Sequence, residues 1–128
     1  MSRALLDTSA FIAGVDGEVD LASLPGESTI SAVTLCELHH GVLVASETER
    51  PNRLLGLDIA RSHFDALPVD GRVAPKYGEL VAAARRAGRG RPPVADALIA
   101  ATAMAYGLPL LTLDKGFESF QGVEVVLL

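Results

Sequence analysis

Four acidic residues stand in apolar company in this chain: Asp7, Glu37, Asp96 and Asp114. Asp7 follows Arg3-Ala4-Leu5-Leu6, and Asp114 follows Leu108-Pro109-Leu110-Leu111-Thr112-Leu113. Glu37 lies one turn into a greasy helical stretch, and Asp96 interrupts a run of Ala, Leu, Ile and Met. Carboxylates are almost never buried unpaired, because a lone charge out of water is costly. The same segments offer no matching set of basic residues. A hard divalent cation is the remaining partner, since carboxylate oxygens and water suit Mg²⁺ or Mn²⁺. No Cys/His spacing suits zinc. Such an ion polarises a phosphoryl oxygen, lowers the pKa of a bound water and stabilises a leaving oxygen; two ions about 3.5–4 Å apart would cover attack and departure together. One ion and two are both compatible with these acids. Thr112 and Ser9 are placed to orient a carboxylate, or simply to cap strand ends. Simpler local roles exist for the acids too. Asp7 could cap a helix starting near Ala10, as could Thr8 or Ser9, and Asp96 suits the positive end of a helix dipole.

Arg85, Arg86, Arg89 and Arg91 form a basic string around Gly88 and Gly90, immediately before the Asp96 segment. A charge run is commonly a solvated face. This one is also placed to hold phosphates beside the acids, or an acidic partner. His39 and His40 are adjacent, so on a helix they point about 100° apart and do not readily share a metal; packing or a polar edge is their expected role. Cys36 is expected to be a small buried hydrophobe rather than a nucleophile.

The elements that must position these side chains follow from punctuation and period. Residues 91–107 read as a helix buried all round, opened by Pro92 and Pro93 in its first turn and ended by Gly107. Arg3-Ala4-Leu5-Leu6 reads as a buried first strand, and Ser28-Thr29-Ile30-Ser31 as a second after a Pro25-Gly26 turn. The polar residues 16–24 suit a turn plus a short helix. Helices are predicted over 33–46, over 53–66 with Leu54, Leu57 and Phe64 inward, and over 72–86. Arg50, Arg53 and Arg61 make a solvated face. A short extended piece spans 67–70. The run 108–114 is a further strand ending at its acid, and Phe117, Phe120 and residues 123–128 close the sheet. Short strands alternating with helices predict a three-layer α/β/α domain, a short, mainly parallel sheet flanked by helices. In such sheets the ligand crevice lies outside the carboxyl ends of the strands, where Asp7 and Asp114 fall.

At 128 residues the chain reads as a single domain, residues 1–128, with 49% hydrophobic and 21% charged residues. No apolar run is long enough to span a bilayer, and the start lacks a signal-peptide pattern, so a reducing cytoplasm is expected for a chain with one cysteine. The net charge of −5 argues at first against nucleic acid. The four acids supply most of it, however, and bound cations reverse the local sign.

Four stretches together carry a resemblance: Leu5-Leu6-Asp7-Thr8-Ser9-Ala10, Ile30-Ser31-Ala32-Val33-Thr34-Leu35-Cys36-Glu37-Leu38, Pro93-Val94-Ala95-Asp96-Ala97-Leu98-Ile99-Ala100-Ala101-Thr102-Ala103, and Gly107-Leu108-Pro109-Leu110-Leu111-Thr112-Leu113-Asp114. In this order and spacing, over essentially the whole chain, they resemble the PIN-domain family, and most of all its VapC branch of ribonuclease toxins from bacterial toxin–antitoxin pairs. The resemblance implies a Mg²⁺- or Mn²⁺-dependent endoribonuclease, a hydrolase leaving a 5′-phosphate and a 3′-hydroxyl. It implies Asp7, Glu37, Asp96 and Asp114 as the catalytic acids with Thr112 beside them, and Asp7, Asp96 and Asp114 as metal ligands. It implies a homodimer, inhibition by a VapB-like antitoxin whose tail fills the groove, and structured RNA such as tRNA or rRNA as substrate. Ser9, Arg85, Arg86, Arg89 and Arg91 are the candidate substrate-binding residues. Many relatives carry one more Asp two residues after the fourth acid; here that position is Gly116, with Glu118 nearby.

Two other readings compete. The first is a catalytically weak module that binds RNA or an antitoxin without cutting, motivated by Gly116 and the negative net charge. The second is a phospho-receiver-like domain, which also places acids, a Thr and a Lys at strand ends. Lys115 directly follows Asp114 here, and no acid follows a clear central strand with a free loop.

Overall fold

The computed structural model describes residues 3–24 and 26–128. Pro25 of the expected Pro25-Gly26 turn lies outside the described residues. The chain runs β1 (Arg3–Leu6), α1 (Thr8–Val15), a 3-10 turn (Leu21–Ser23), β2 (Glu27–Thr29), α2 (Ala32–Val44), α3 (Arg50–His63), α4 (Val73–Arg86), α5 (Val94–Tyr106), β3 (Leu110–Thr112), a second 3-10 turn (Lys115–Ser119) and β4 (Val125–Leu127). Among the described residues the strands form one sheet in the order β2-β1-β3-β4, and every pairing is parallel. Leu67 adds an isolated bridge to Ser31 beyond the end of β2.

Strand side chains alternate between faces, and this separates two cores. Leu5 and Leu110 face one, with Leu80 of α4 and Ala97, Ile99, Ala100, Ala101 and Ala103 of α5. Ala4, Leu6 and Leu111 face the other, with Phe11 of α1, Leu38 of α2 and Leu57 of α3. The sheet is therefore the middle of three layers, as the alternation of strands and helices predicts. The alanines of α5 let it lie close to α4 and the sheet. Its buried Thr102 is satisfied by donating to the Leu98 carbonyl one turn back at 2.7 Å. Gly107 ends α5 with φ 64°, a left-handed cap that other residues reach only with strain.

Several expectations need correction. Pro92 and Pro93 precede α5 rather than forming its first turn; Pro93 is the N-cap residue, and Val94, the first helical residue, is 52% exposed. The helix is thus not buried all round. Helix α3 starts and stops three residues earlier than expected, and Leu54 is 48% exposed. Phe64 ends the helix in an extended conformation and packs edge-on against Phe11, ring centroids 5.6 Å apart. Cys36 is exposed. On α2 the inward residues are Thr34 and Leu38, four apart, and position 36 falls between them on the opposite side. Leu43, near the end of α2, is likewise exposed. Arg50, Arg53 and Arg61 are exposed as expected. Arg53 also donates to the Gly41 carbonyl at 2.8 Å, and Arg50 to the Ala45 carbonyl at 3.0 Å, tying α3 to the end of α2.

Candidate active site

The register of the central strands builds the site. Leu6 pairs with Leu111, so the residues just past β1 and at the end of β3 emerge side by side at the carboxyl edge of the sheet. The Asp7 N–H donates to the Leu111 carbonyl at 3.0 Å. Asp7 is buried and caps α1, its Oδ1 accepting from the Ala10 N–H at 2.9 Å and from the Ser9 hydroxyl at 2.8 Å. Its Oδ2 accepts from the buried Thr112 hydroxyl at 2.6 Å. The capping role and the site role therefore coincide in one side chain. With their own hydrogens on Asp7, Ser9 Oγ accepts from the Leu113 N–H at 3.2 Å and Thr112 Oγ1 from the Asp114 N–H at 2.9 Å. Two hydroxyls thus lock the carboxylate of Asp7 to the backbone that carries Asp114.

Glu37 reaches the same edge from α2, capped by Ser31 after β2. Its Oε1 accepts from the Thr8 hydroxyl. Thr34 lies 3.1 Å from Thr8 Oγ1; since the Thr8 proton points at Glu37, Thr34 is the donor in that pair. Thr8 and Thr34 were not among the expected site residues. The available signal was local: a hydroxyl beside Asp7, and another one helical turn before Glu37. Asp114 begins the second 3-10 turn, its Oδ1 accepting from the Gly116 N–H at 2.8 Å, and is exposed.

Asp96 sits in the first turn of α5. Helix α5 runs antiparallel to the strand it feeds, so that turn lies at the carboxyl edge as well. Burial pushes the Asp96 carboxyl above the usual aspartate range, and the negative charges of Asp114, Glu37 and Asp7 push it further the same way. The four acids therefore share one electrostatic neighbourhood. Glu118 is exposed on the second 3-10 turn and does not contribute to that shift. Among the described residues none of the four acids forms an ion pair; the pairs present are Arg53–Glu49, Arg72–Asp70 and Lys76–Glu79 at the surface.

The donor set fits a hard divalent ion: carboxylate oxygens from four segments, no basic partner, and one carboxyl held above its ordinary range by its neighbours. Among the described residues no three His, Cys, Asp or Glu side chains already close into a metal-holding group. As placed, the acids form a looser ring. The oxygens of Asp7, Glu37 and Asp114 accept from the hydroxyls of Thr8, Ser9 and Thr112 and the Gly116 N–H. His39 and His40 are exposed on α2.

Two concavities flank the ring. A groove of about 460 Å³ runs between α1, α2 and α3 from Thr8 and Glu37 to Arg53, with Asp16 and Glu49 on its walls. A pocket of about 350 Å³ lies on the other side, between Asp96, the loop carrying Arg89 and Arg91, and Gly116. Of the basic string, Arg89 and Arg91 line this pocket; Arg85 and Arg86 are exposed at the end of α4 and do not. Among the described residues no helix is long and apolar enough to cross a membrane.

A family model described as PIN domain matches residues 4–123. Ribonuclease VapC4 of Mycobacterium tuberculosis is 39% identical over 125 residues, covering 97% of this chain and 95% of that protein. Ribonuclease VapC5 of the same organism is 37% identical over 127 residues, covering 98% and 93%. A crystal structure of a VapBC family member, VapBC-5 from Mycobacterium tuberculosis, superposes over 100% of both chains with a TM-score of 0.86 and 34% identity. The VapBC2 structure from Rickettsia felis shares the fold at 22% identity and a TM-score of 0.83, over 98% of each chain. With this sheet order, this ring of acids and these relatives, the chain belongs to the PIN-domain family, in its VapC branch.

Proposed function

We propose that this protein is an endoribonuclease toxin that hydrolyses RNA phosphodiester bonds with Mg²⁺ or Mn²⁺, held by Asp7, Asp96 and Asp114 with Glu37 beside them. The observation that carries this reading is the register that sets Asp7 beside the backbone of Asp114, with the Thr112 and Ser9 hydroxyls bonded to both. Burial and the other three acids push the Asp96 carboxyl up in the same neighbourhood, and among the described residues none of the four has an ion-pair partner. When bound, the ion would supply an activated water and stabilise the departing oxygen. The chain's own residues do the positioning. Thr112 and Ser9 fix Asp7, Thr8 fixes Glu37, and the Gly116 N–H fixes Asp114. The relatives carry the name ribonuclease, which favours RNA over other phosphodiesters. A structured RNA such as tRNA or rRNA is the proposed substrate.

A VapB-like antitoxin is the proposed inhibitor, since the VapBC neighbour is described as a member of a toxin–antitoxin family. The groove between α1, α2 and α3 fits an antitoxin segment with apolar and basic side chains. Its charged walls carry Asp16, Glu37 and Glu49 against Arg53, and exposed Leu43, Val44, Leu54 and Leu55 lie on the same two helices, α2 and α3. A homodimer is the proposed assembly.

The test is cleavage of total cellular RNA by purified protein with Mg²⁺ or Mn²⁺, with and without EDTA. Mapping the cut ends locates the target. Cleavage is expected only with metal, leaving 5′-phosphate ends, and none is expected from Asp96→Asn. The alternative is a binding module that does not cut, motivated by Gly116 and the net charge of −5. RNA binding without product at any metal concentration would establish that alternative.

A further inference from the structure

The two concavities beside the acid ring differ in charge. The groove between α1, α2 and α3 is walled by three acids and one arginine, Asp16, Glu37, Glu49 and Arg53, which opposes a polyanion. The opposite pocket is lined by Arg89 and Arg91 together with Asp96. Both guanidinium groups are anchored by neutral acceptors. Arg89 donates to the Ser119 carbonyl at 3.1 Å, bridging to the second 3-10 turn, and Arg91 donates to the Tyr77 hydroxyl on α4 at 3.3 Å. Among the described residues neither pairs with a carboxylate. Each is therefore held in place with its charge uncompensated, and a guanidinium has five N–H donors in a fork that matches phosphate.

The walls between are apolar and rigid, with Pro92, Pro93 and Phe120. The volume of about 350 Å³ is near the lower end of ligand sites, roughly 300–1,000 Å³, a size for one nucleotide rather than a folded element. Gly116 also lines the pocket, and a Cβ there would lie 3.0 Å from Asp114 Oδ1. The pocket thus combines two guanidinium groups, apolar wall residues and one of the four acids.

Building on the ribonuclease reading above, we infer that this pocket seats one nucleotide next to the scissile phosphate, with Arg89 and Arg91 each on a backbone phosphate of its own and Pro92, Pro93 and Phe120 against the base. Arg85 and Arg86 lie outside it and do not take part.

The test measures binding separately from cutting. In an Asp7→Asn background, a fluorescently labelled single-stranded RNA is titrated by anisotropy at several salt concentrations. Arg89→Ala and Arg91→Ala are each expected to weaken binding several-fold and to lower the slope of log K against log salt by about 0.7, the value for one phosphate contact on a single strand. Arg86→Ala should change neither. The inference is overturned if Arg89→Ala and Arg91→Ala bind as tightly as the parent, or if Arg86→Ala weakens binding to the same degree. If either result comes with metal-dependent cleavage by the unmutated protein, the subsite alone fails. If the unmutated protein neither cleaves nor binds RNA, the ribonuclease reading fails, and the subsite with it.

Discussion

Asp96 and Thr112 carry the tightest physical consequences among single residues. The Asp96 carboxyl lies above the ordinary aspartate range in the folded chain, while in an unfolded chain it titrates near 3.9, a value of about the usual size. The folded state therefore binds the proton more tightly. This group's stabilising effect is fully present below the unfolded pKa and is lost as pH rises through the folded one. In metal-free buffer, Asp96→Asn is expected to raise Tm at neutral pH, with the gain shrinking as pH falls towards 4. Paired thermal melts across that range check this, and equal or lower stability at pH 7 would refute it. Thr112→Val keeps the shape but strips a donor from buried Asp7 and an acceptor from the Asp114 N–H. A buried polar group left without a partner costs about 1–3 kcal/mol, and loss of an orienting partner commonly weakens metal binding about 10–100-fold. Thr112→Ser should restore most of both. Isothermal titration with Mn²⁺ reads the affinity, and chemical denaturation reads the stability.

At the scale of elements, the two ends of α5 have separable jobs. Its first turn delivers Asp96, and its last residue hands the chain to β3 through Gly107 at φ 64°. Gly107→Ala forces a side chain into the left-handed region, at a cost of roughly 1–2 kcal/mol. Stability should fall by about that amount while metal-dependent activity below Tm stays unchanged, because the substitution lies at the far end of the helix from the acids. α5 was legible in the sequence because Gly107 and the alanine run act locally. So were β1 and β3, as short apolar runs ending in acids. The faces of α2 and α3 were not. α2 is apolar on several sides, so nothing local says that Thr34 and Leu38 turn inward while Cys36 and Leu43 face out. In α3 the misplaced start shifted the expected inward set onto Leu54. Thr8 and Thr34 escaped notice for a related reason: their roles depend on α1 and α2 meeting, a contact 26 residues apart in the chain.

For the molecule as a whole, the acid ring concentrates negative charge at the carboxyl edge of the sheet. A ligand that binds the folded chain and not the unfolded one stabilises it, by about 2.7 kcal/mol at a hundredfold excess over Kd. Mg²⁺ or Mn²⁺ is therefore expected to raise the Tm of the unmutated protein and to leave Asp96→Asn nearly unmoved. Differential scanning fluorimetry with and without EDTA checks this; an equal rise in both proteins would place the binding elsewhere. In the sequence the four acids stand out as carboxylates in apolar company, and in the fold the other three act on the charge of Asp96. The unequal flanking pockets were not legible there, because Arg89 and Arg91 look no different from Arg85 and Arg86 until the loop ties them to Ser119 and Tyr77.

The hydrogen bond between residues 7 and 112 joins side chains 105 positions apart. During synthesis the ribosome must finish β3 before that bond can form, so a partly made chain carries Asp7 and Glu37 without the strand that locks Asp7 in place.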